Sequence, residues 1–292
     1  MKITEKYIDY MGHKTYCRIV GEKSDKAPLL LLHGGPGSTH NYFEVLDRLS
    51  EEDSRQLIMY DQIGCGNSYL DGCPELWNMD TWMGELKAVR EQLGLEEVHI
   101  LGQSWGGMLL LEYVCKHNPK GIKSIILSST LPSSRLWEKE QYRMIEELPE
   151  EMRAAIAKAD GTGDYTGEDY LEAVDEYMVR HAAGKTSTYE CVNRKKKSGT
   201  ESYVCGWGPN EFTPAGTLKD FDVTELLKDI KEPALIIDGG NDLCTPYIAK
   251  YMYDRIPNSR WELFRACRHM CFVEDNERYV RLLKEWFKSV GD

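Results

Sequence analysis

The chain has 292 residues, enough to bury a substantial core as one large domain or as a catalytic domain carrying an insertion. Its 48 acidic against 36 basic side chains leave a net charge of −12, which disfavours nucleic acid and anionic membranes as partners and favours small or cationic molecules. Nine cysteines without framework or Cys-x-x-Cys spacing read as free thiols, no apolar run approaches the roughly 20 residues of a bilayer span, and Met1 to Tyr10 has no signal-peptide core, so a cytoplasmic protein is expected.

From Ile3 to Val20 apolar and polar residues roughly alternate, which predicts a β-hairpin turning at Gly12. Ala27–Leu32 and Gln56–Tyr60 are short apolar runs that end in Gly-rich or acidic loops, and Val98–Leu101 repeats the arrangement before Gly102; these predict buried parallel strands. Helical spacing is found over Thr81–Leu93 and over Met108–His117, and Ser124–Ser128 supplies another buried strand. From about Pro132 to about Lys219 the strand-like runs vanish and the sequence turns charged, helical and Gly-interrupted. This predicts a helical cap over 132–219 inserted between two parts of a core, 1–131 and 220–292. Within it, Arg194–Lys197 is a dense charge run, read as a solvated helix face in preference to an anion site. Ala234–Asp238 returns to strand character, and the amphipathic stretch Glu277–Val290 closes the chain as a helix. Strands alternating with helices predict the α/β class, with a mostly parallel central sheet flanked by helices.

The chemistry concentrates at the ends of these strands. Gly102-Gln103-Ser104-Trp105-Gly106-Gly107 lies between a strand and a helix and has the pattern of a nucleophile elbow, in which flanking glycines allow a sharp turn that lifts a serine hydroxyl above the sheet. His33-Gly34-Gly35-Pro36-Gly37 follows the first buried strand. Its unshielded backbone suits an oxyanion hole, with the N–H groups of Gly35 and Trp105 as donors; the alternative is a tight structural turn. The loop lacks the endings and spacing of phosphate- and dinucleotide-binding loops, so no nucleotide is implied, and His33 is read as a brace.

A serine needs a base, and His269, ahead of the last helix, is the histidine that no packing role explains. Two carboxylates compete to orient it. Asp242 sits out in the loop Gly239–Pro246 and can reach over the sheet, whereas Asp238 ends a strand and is read as serving local backbone donors. Asp61–Ser68 is read as a turn lining the pocket floor. There is no His-Glu-x-x-His, and Cys267–Cys271 has no partners at ligand spacing, so neither metal nor cofactor is expected.

Together, His33–Gly37, Asp61–Ser68, the segment around Ser104, the Gly239–Pro246 loop and His269 resemble the proline iminopeptidase family, serine aminopeptidases of the α/β-hydrolase fold. The likeness spans nearly the whole chain and is carried especially by Gly208-Pro209-Asn210-Glu211-Phe212 followed by Gly216-Thr217-Leu218-Lys219-Asp220. It implies release of an N-terminal residue, preferably proline, from short peptides or amino-acid amides with a free N-terminus, through an acyl-enzyme on Ser104. It also gives Glu211 the task of holding the substrate's cationic amine. Relatives often carry a second amine-binding glutamate directly after the triad aspartate; here that position is Leu243, a loss worth about 1 to 3 kcal/mol of binding. Tyr203, Trp207 and Phe212 would then form an apolar wall for a proline ring, or serve as plain packing. The competing readings are a carboxylesterase or amino-acid amidase with the same triad, and a non-catalytic binding protein on the same fold.

Overall fold

Four consecutive leucines leave no polar face for water, so Leu29–Leu32 forms an interior strand, buried throughout. This is the third strand of the chain, β3. Leu30 and Leu32 join the hydrophobic core on one side of the sheet, Leu29 and Leu31 the core on the other, as the two-residue period of a strand requires. β3 pairs in parallel with β4 (Leu57–Tyr60) and β5 (Val98–Gln103), and β6 (Ile122–Ser128), β7 (Ala234–Gly239) and β8 (Ser259–Phe264) continue the parallel set. The hairpin of β1 (Ile3–Tyr10) and β2 (His13–Val20) joins the other edge antiparallel to β4. Its two turn residues, Met11 and Gly12, have φ of 50° and 79°, the left-handed pair that a tight hairpin needs. The computed structural model describes residues 1–292, and the sheet order is β1-β2-β4-β3-β5-β6-β7-β8.

Helices cover both faces. Met79–Gln92 brings Trp82, Leu86 and Val89 to one core, together with Leu109–Leu111 of the helix Trp105–His117. The last helix, Asn276–Ser289, brings Leu283, Trp286 and Phe287 to the other. No helix is long and apolar enough to cross a membrane.

Several elements escape the sequence reading, among them a strand and a helix at the far side of the sheet. β8 is an edge strand whose first five residues are only partly buried, so Ser-Arg-Trp-Glu-Leu-Phe shows neither an apolar run nor clean alternation. The helix Pro246–Tyr253, capped by Thr245 Oγ1 accepting from Ile248 N at 3.4 Å, is too short to show a period. The helix after Ser104 also begins at Trp105, earlier than Met108, because Gly106 and Gly107 serve close packing there in spite of their poor helix propensity.

Between β6 and β7 the chain forms helices and contributes no strand to the sheet: Ser134–Ile145, Glu150–Thr162, Glu168–His181, Glu190–Asn193 and Thr200–Gly206. The two ends of this excursion are joined at its base. Ser133 and Asp222 form an antiparallel bridge, Ser134 N donates to Phe221 O (3.0 Å) and Val223 N donates to Pro132 O (2.9 Å).

Candidate active site

One residue, Ser104, separates the end of β5 from the helix Trp105–His117, and it takes φ 55° and ψ −122° to make the turn. A side chain in that region costs of order 1–3 kcal/mol and persists only where its surroundings impose it. They do so here: Ser104 N donates to Ser128 O (3.0 Å), and Ser104 O accepts from Gly107 N (2.9 Å), Met108 N (3.2 Å) and Thr130 Oγ1 (2.6 Å). A Cβ on Gly106 would collide with the Leu32 carbonyl, so a glycine there is what lets the helix start against β3.

The glycine loop after β3 is tied to the same turn. Gly34 N donates to the Tyr42 hydroxyl (2.5 Å), which donates to Gln103 Oε1 (2.9 Å), next to Ser104. His33 Nδ1 donates to Gly34 O (2.9 Å) and its Nε2 accepts from Gln62 N (3.0 Å). Those roles describe a neutral imidazole, and complete burial lowers its pKa to about 4. The backbone N–H groups of Gly35 and Trp105 donate to nothing within the chain, and Gly35 lines the same cavity as Ser104.

His269 Nδ1 lies 2.6 Å from Asp242 Oδ1. The carboxylate is buried and held by three more donors: Cys244 N to Oδ1 (2.8 Å), Ser129 Oγ to Oδ2 (2.6 Å) and Gly239 N to Oδ2 (3.0 Å). The imidazole loop is gripped from the helical excursion, since His269 N donates to His181 O (3.1 Å) and Arg268 Nη1 donates to Val179 O (2.6 Å). Ser104 and His269 line one cavity, although no hydrogen bond joins the hydroxyl to the ring in this structure.

Asp238 has a different role from the one its place at the strand end suggests. It binds no backbone donor; its Oδ1 accepts from Trp261 Nε1 (2.6 Å), its Oδ2 has no partner, and burial raises its pKa to about 8. An acid whose folded pKa is raised takes up a proton on folding. Its contribution to stability is therefore complete below the unfolded value near 4 and is lost as pH rises toward about 8. Glu85, buried under β2 with Thr15 and Ile63 as donors, is raised to about 8 in the same way. From about pH 6.5, above which the depressed pKa of His33 no longer opposes them, to about pH 8, urea unfolding should show stability falling with pH by up to about 1.4 kcal/mol per unit for each group. Asp238→Asn should remove one share of the slope, and a variant with the wild-type slope would contradict the assignment.

The cavity has a volume of about 440 Å³, and its walls include Gly35, Ser104, Tyr203, Glu211, Leu243 and His269. Burial pushes the Glu211 carboxyl above the ordinary range, against the opposing pull of the Tyr203 hydroxyl, which donates to Oε1 at 2.8 Å, and of the His269 imidazole. Leu243, directly after Asp242, presents an apolar side chain.

Trp207 and Phe212 do not line this cavity, contrary to the wall read from the sequence. Phe212 is packed edge-on to Tyr177 (5.6 Å) and Tyr142 (6.0 Å). Trp207 stands edge-on to Trp137 (6.3 Å), and both indoles send their N–H to the Glu211 carbonyl, Trp137 at 2.7 Å and Trp207 at 3.4 Å. Buried indoles need an acceptor, and satisfying it turns the rings inward and fixes the backbone of Glu211.

The turn Asp61–Ser68 also stands behind the cavity and contributes nothing to its floor: Gln62 Oε1 accepts from Trp105 Nε1 (2.7 Å) and Gln62 Nε2 donates to His33 O (2.9 Å), so it couples the two loops that flank Ser104. The run Arg194–Lys197 lies beyond the end of the helix Glu190–Asn193 and is no single solvated face, since Lys196 lines the cavity. Among residues the sequence reading passed over, Ser129 carries no motif; its φ of 48° and its bond to Asp242 arise only when β6 and β7 are adjacent.

The family described as the alpha/beta hydrolase fold matches residues 27–276. The chain is 58% identical over 292 residues to a protein of Clostridium botulinum named proline iminopeptidase, covering 99% of both. It is 57% identical to one of the same name from Clostridioides difficile, again over 99% of both. A crystal structure of the proline iminopeptidase of Mycobacterium smegmatis superposes with a TM-score of 0.86 at 32% identity, covering 98% of each chain.

Proposed function

Because the chain belongs to the proline iminopeptidases of the α/β-hydrolase fold, we propose that it is a serine aminopeptidase in which Ser104, His269 and Asp242 act as nucleophile, base and orienting acid. The substrates are short peptides or amino-acid amides with a free N-terminus, proline being preferred there. Ser104 Oγ attacks the first carbonyl while His269 Nε2 takes its proton, and Asp242 holds the ring with Nδ1–H toward the carboxylate. The N–H groups of Gly35 and Trp105 receive the oxyanion. His269 then gives its proton to the departing amine, and water, activated by the same ring, clears the acyl-enzyme. Residues 132–219 act as the cap that supplies Glu211 and Tyr203.

The observation that carries this reading is Glu211, a carboxylate raised by burial in the same cavity as Ser104 and His269. A cationic amine supplies the counter-charge it lacks. Proline 4-nitroanilide should be turned over, and Glu211→Gln should lower kcat/KM by about 10- to 100-fold, the worth of one charge-assisted hydrogen bond. N-acetylproline 4-nitroanilide should be a poor substrate for both proteins. Leu243 favours a second reading, an esterase, because it gives the cavity an apolar wall beside the imidazole. Ser104-dependent cleavage of a short nitrophenyl ester, indifferent to Glu211 and without turnover of the free-amine anilide, would replace the aminopeptidase.

A further inference from the structure

Three of the four basic side chains at Arg194–Lys197 belong to the surface. Arg194 pairs with Glu44 (2.8 Å) and Glu190 (2.6 Å), Lys197 Nζ lies 3.3 Å over the centre of the Tyr69 ring, and Lys195 is exposed. Lys196 differs. It is half-buried at the wall of the catalytic cavity, and its Nζ has neither an ion pair nor a hydrogen bond; its one partner is the face of Tyr42, 5.4 Å from the ring centre. Burial lowers its pKa, with Asp61 and the thiols of Cys65 and Cys191 pulling the other way. Lys196 also borders a cleft lined by Glu5, Glu44 and Asp61, but no carboxylate is in contact with its Nζ. An ammonium taken partly out of water without such a contact is costly in the empty protein, and it favours a ligand that brings an anion to it.

Its place in the cavity indicates which anion. Tyr42 accepts from Gly34 and donates to Gln103, so Lys196 sits on the wall formed by the glycine loop. Glu211 lines the same cavity with other neighbours, the Tyr203 hydroxyl and the backbone clamp from Trp137. Ser104 opens into the space that both share, about 440 Å³, which falls in the range of small-ligand sites. One carboxylate and one ammonium around a single nucleophile complement a short peptide with both termini free: its amine meets Glu211, and the carboxylate of the fragment beyond the scissile bond meets Lys196.

We propose that Lys196 is a specificity-determining residue that binds the C-terminal carboxylate of the leaving fragment, making short peptides with a free C-terminus the favoured substrates. The inference rests on the aminopeptidase reading above. Lys196 could instead serve only to pin Tyr42, and that role would act on every substrate alike.

The test compares kcat/KM for Pro-Gly and for Pro-Gly-amide, which differ in the terminal carboxylate, in wild type and in Lys196→Met, with proline 4-nitroanilide as a reference. Intrinsic leaving-group differences cancel when the acid-to-amide ratio of the variant is divided by that of wild type. That quotient should fall about tenfold in Lys196→Met, the effect of one charge-assisted contact, and should stay within about twofold of unity in Lys196→Arg. A quotient near unity in Lys196→Met, with all substrates changed equally, overturns the proposal. If Lys196→Met is misfolded by its melting temperature, Lys196→Gln carries the same expectation and the same refutation. Wild type that cleaves the anilide and both peptides without the expected shift leaves the aminopeptidase standing and removes only the role of Lys196; wild type that cleaves none of the three removes both.

Discussion

Ser104→Ala should lower turnover of proline 4-nitroanilide by about 10⁶-fold, the scale on which a serine hydrolase loses rate when its nucleophile is removed. The fold should be unaffected. Alanine keeps the Cβ, so the backbone at φ 55° is no more strained than before, and the Ser104 hydroxyl makes no hydrogen bond whose partner would be left unsatisfied. The bonds that impose the turn come from the backbone of Ser104 and from Thr130, all of which remain. The expected result is a melting temperature within a degree or two of wild type, loss of covalent labelling by a fluorophosphonate, and residual activity from the oxyanion donors alone. Activity within tenfold of wild type would place the nucleophile elsewhere.

Asp242→Asn should cost about 10⁴-fold in kcat. The carboxylate accepts on both oxygens: Oδ1 from His269 Nδ1 and Cys244 N, Oδ2 from Ser129 Oγ and Gly239 N. An amide has one acceptor, and neither orientation serves all four groups. With its oxygen toward Ser129 and Gly239, the NH2 donates to Nδ1 and leaves the proton on Nε2, the nitrogen that must accept from Ser104. With its oxygen toward His269, the NH2 opposes the Gly239 N–H across a buried contact. The rate loss should therefore be accompanied by a stability loss of about 1–3 kcal/mol, which separates this variant from Ser104→Ala. Unfolding curves and single-turnover rates on the same preparations measure both. A kcat within tenfold of wild type would show that the imidazole does not depend on this carboxylate.

Most of the parallel strands were legible because they carry a short, continuously apolar run, as Leu29–Leu32 and residues 234–237 show; β8, in the same parallel set, carries none and was missed. The turn at Ser104 was legible because glycines are needed where a helix presses on a strand, as at Gly106. Legibility ends where a contact depends on distant segments. Ser129 reaches Asp242 across 113 residues, and Gln62 links His33 to Trp105; neither has a local signature. Of the three aromatic residues read as a wall or as plain packing, Tyr203 lines the cavity and Trp207 and Phe212 do not, for a related reason: composition identifies them as apolar, but only the packing of Trp137, Tyr142 and Tyr177 decides which of them meets the cavity. Lys196 shows the same limit with charge, since four adjacent basic residues point in different directions once the local helix has ended.

The bridge between Ser133 and Asp222 gives the helical excursion a closed neck, where its outgoing and returning strands leave and rejoin the sheet side by side. Material above such a neck can be lengthened, shortened or exchanged with little effect on the sheet, because closing a loop whose ends already touch becomes only slowly more costly with length. The sheet that carries Ser104 can in this way keep its chemistry while its clientele is rewritten by splicing at a single junction. The links from His269 N to His181 O, from Arg268 Nη1 to Val179 O and from Arg194 to Glu44 are among the places where a transplanted segment would have to match its host.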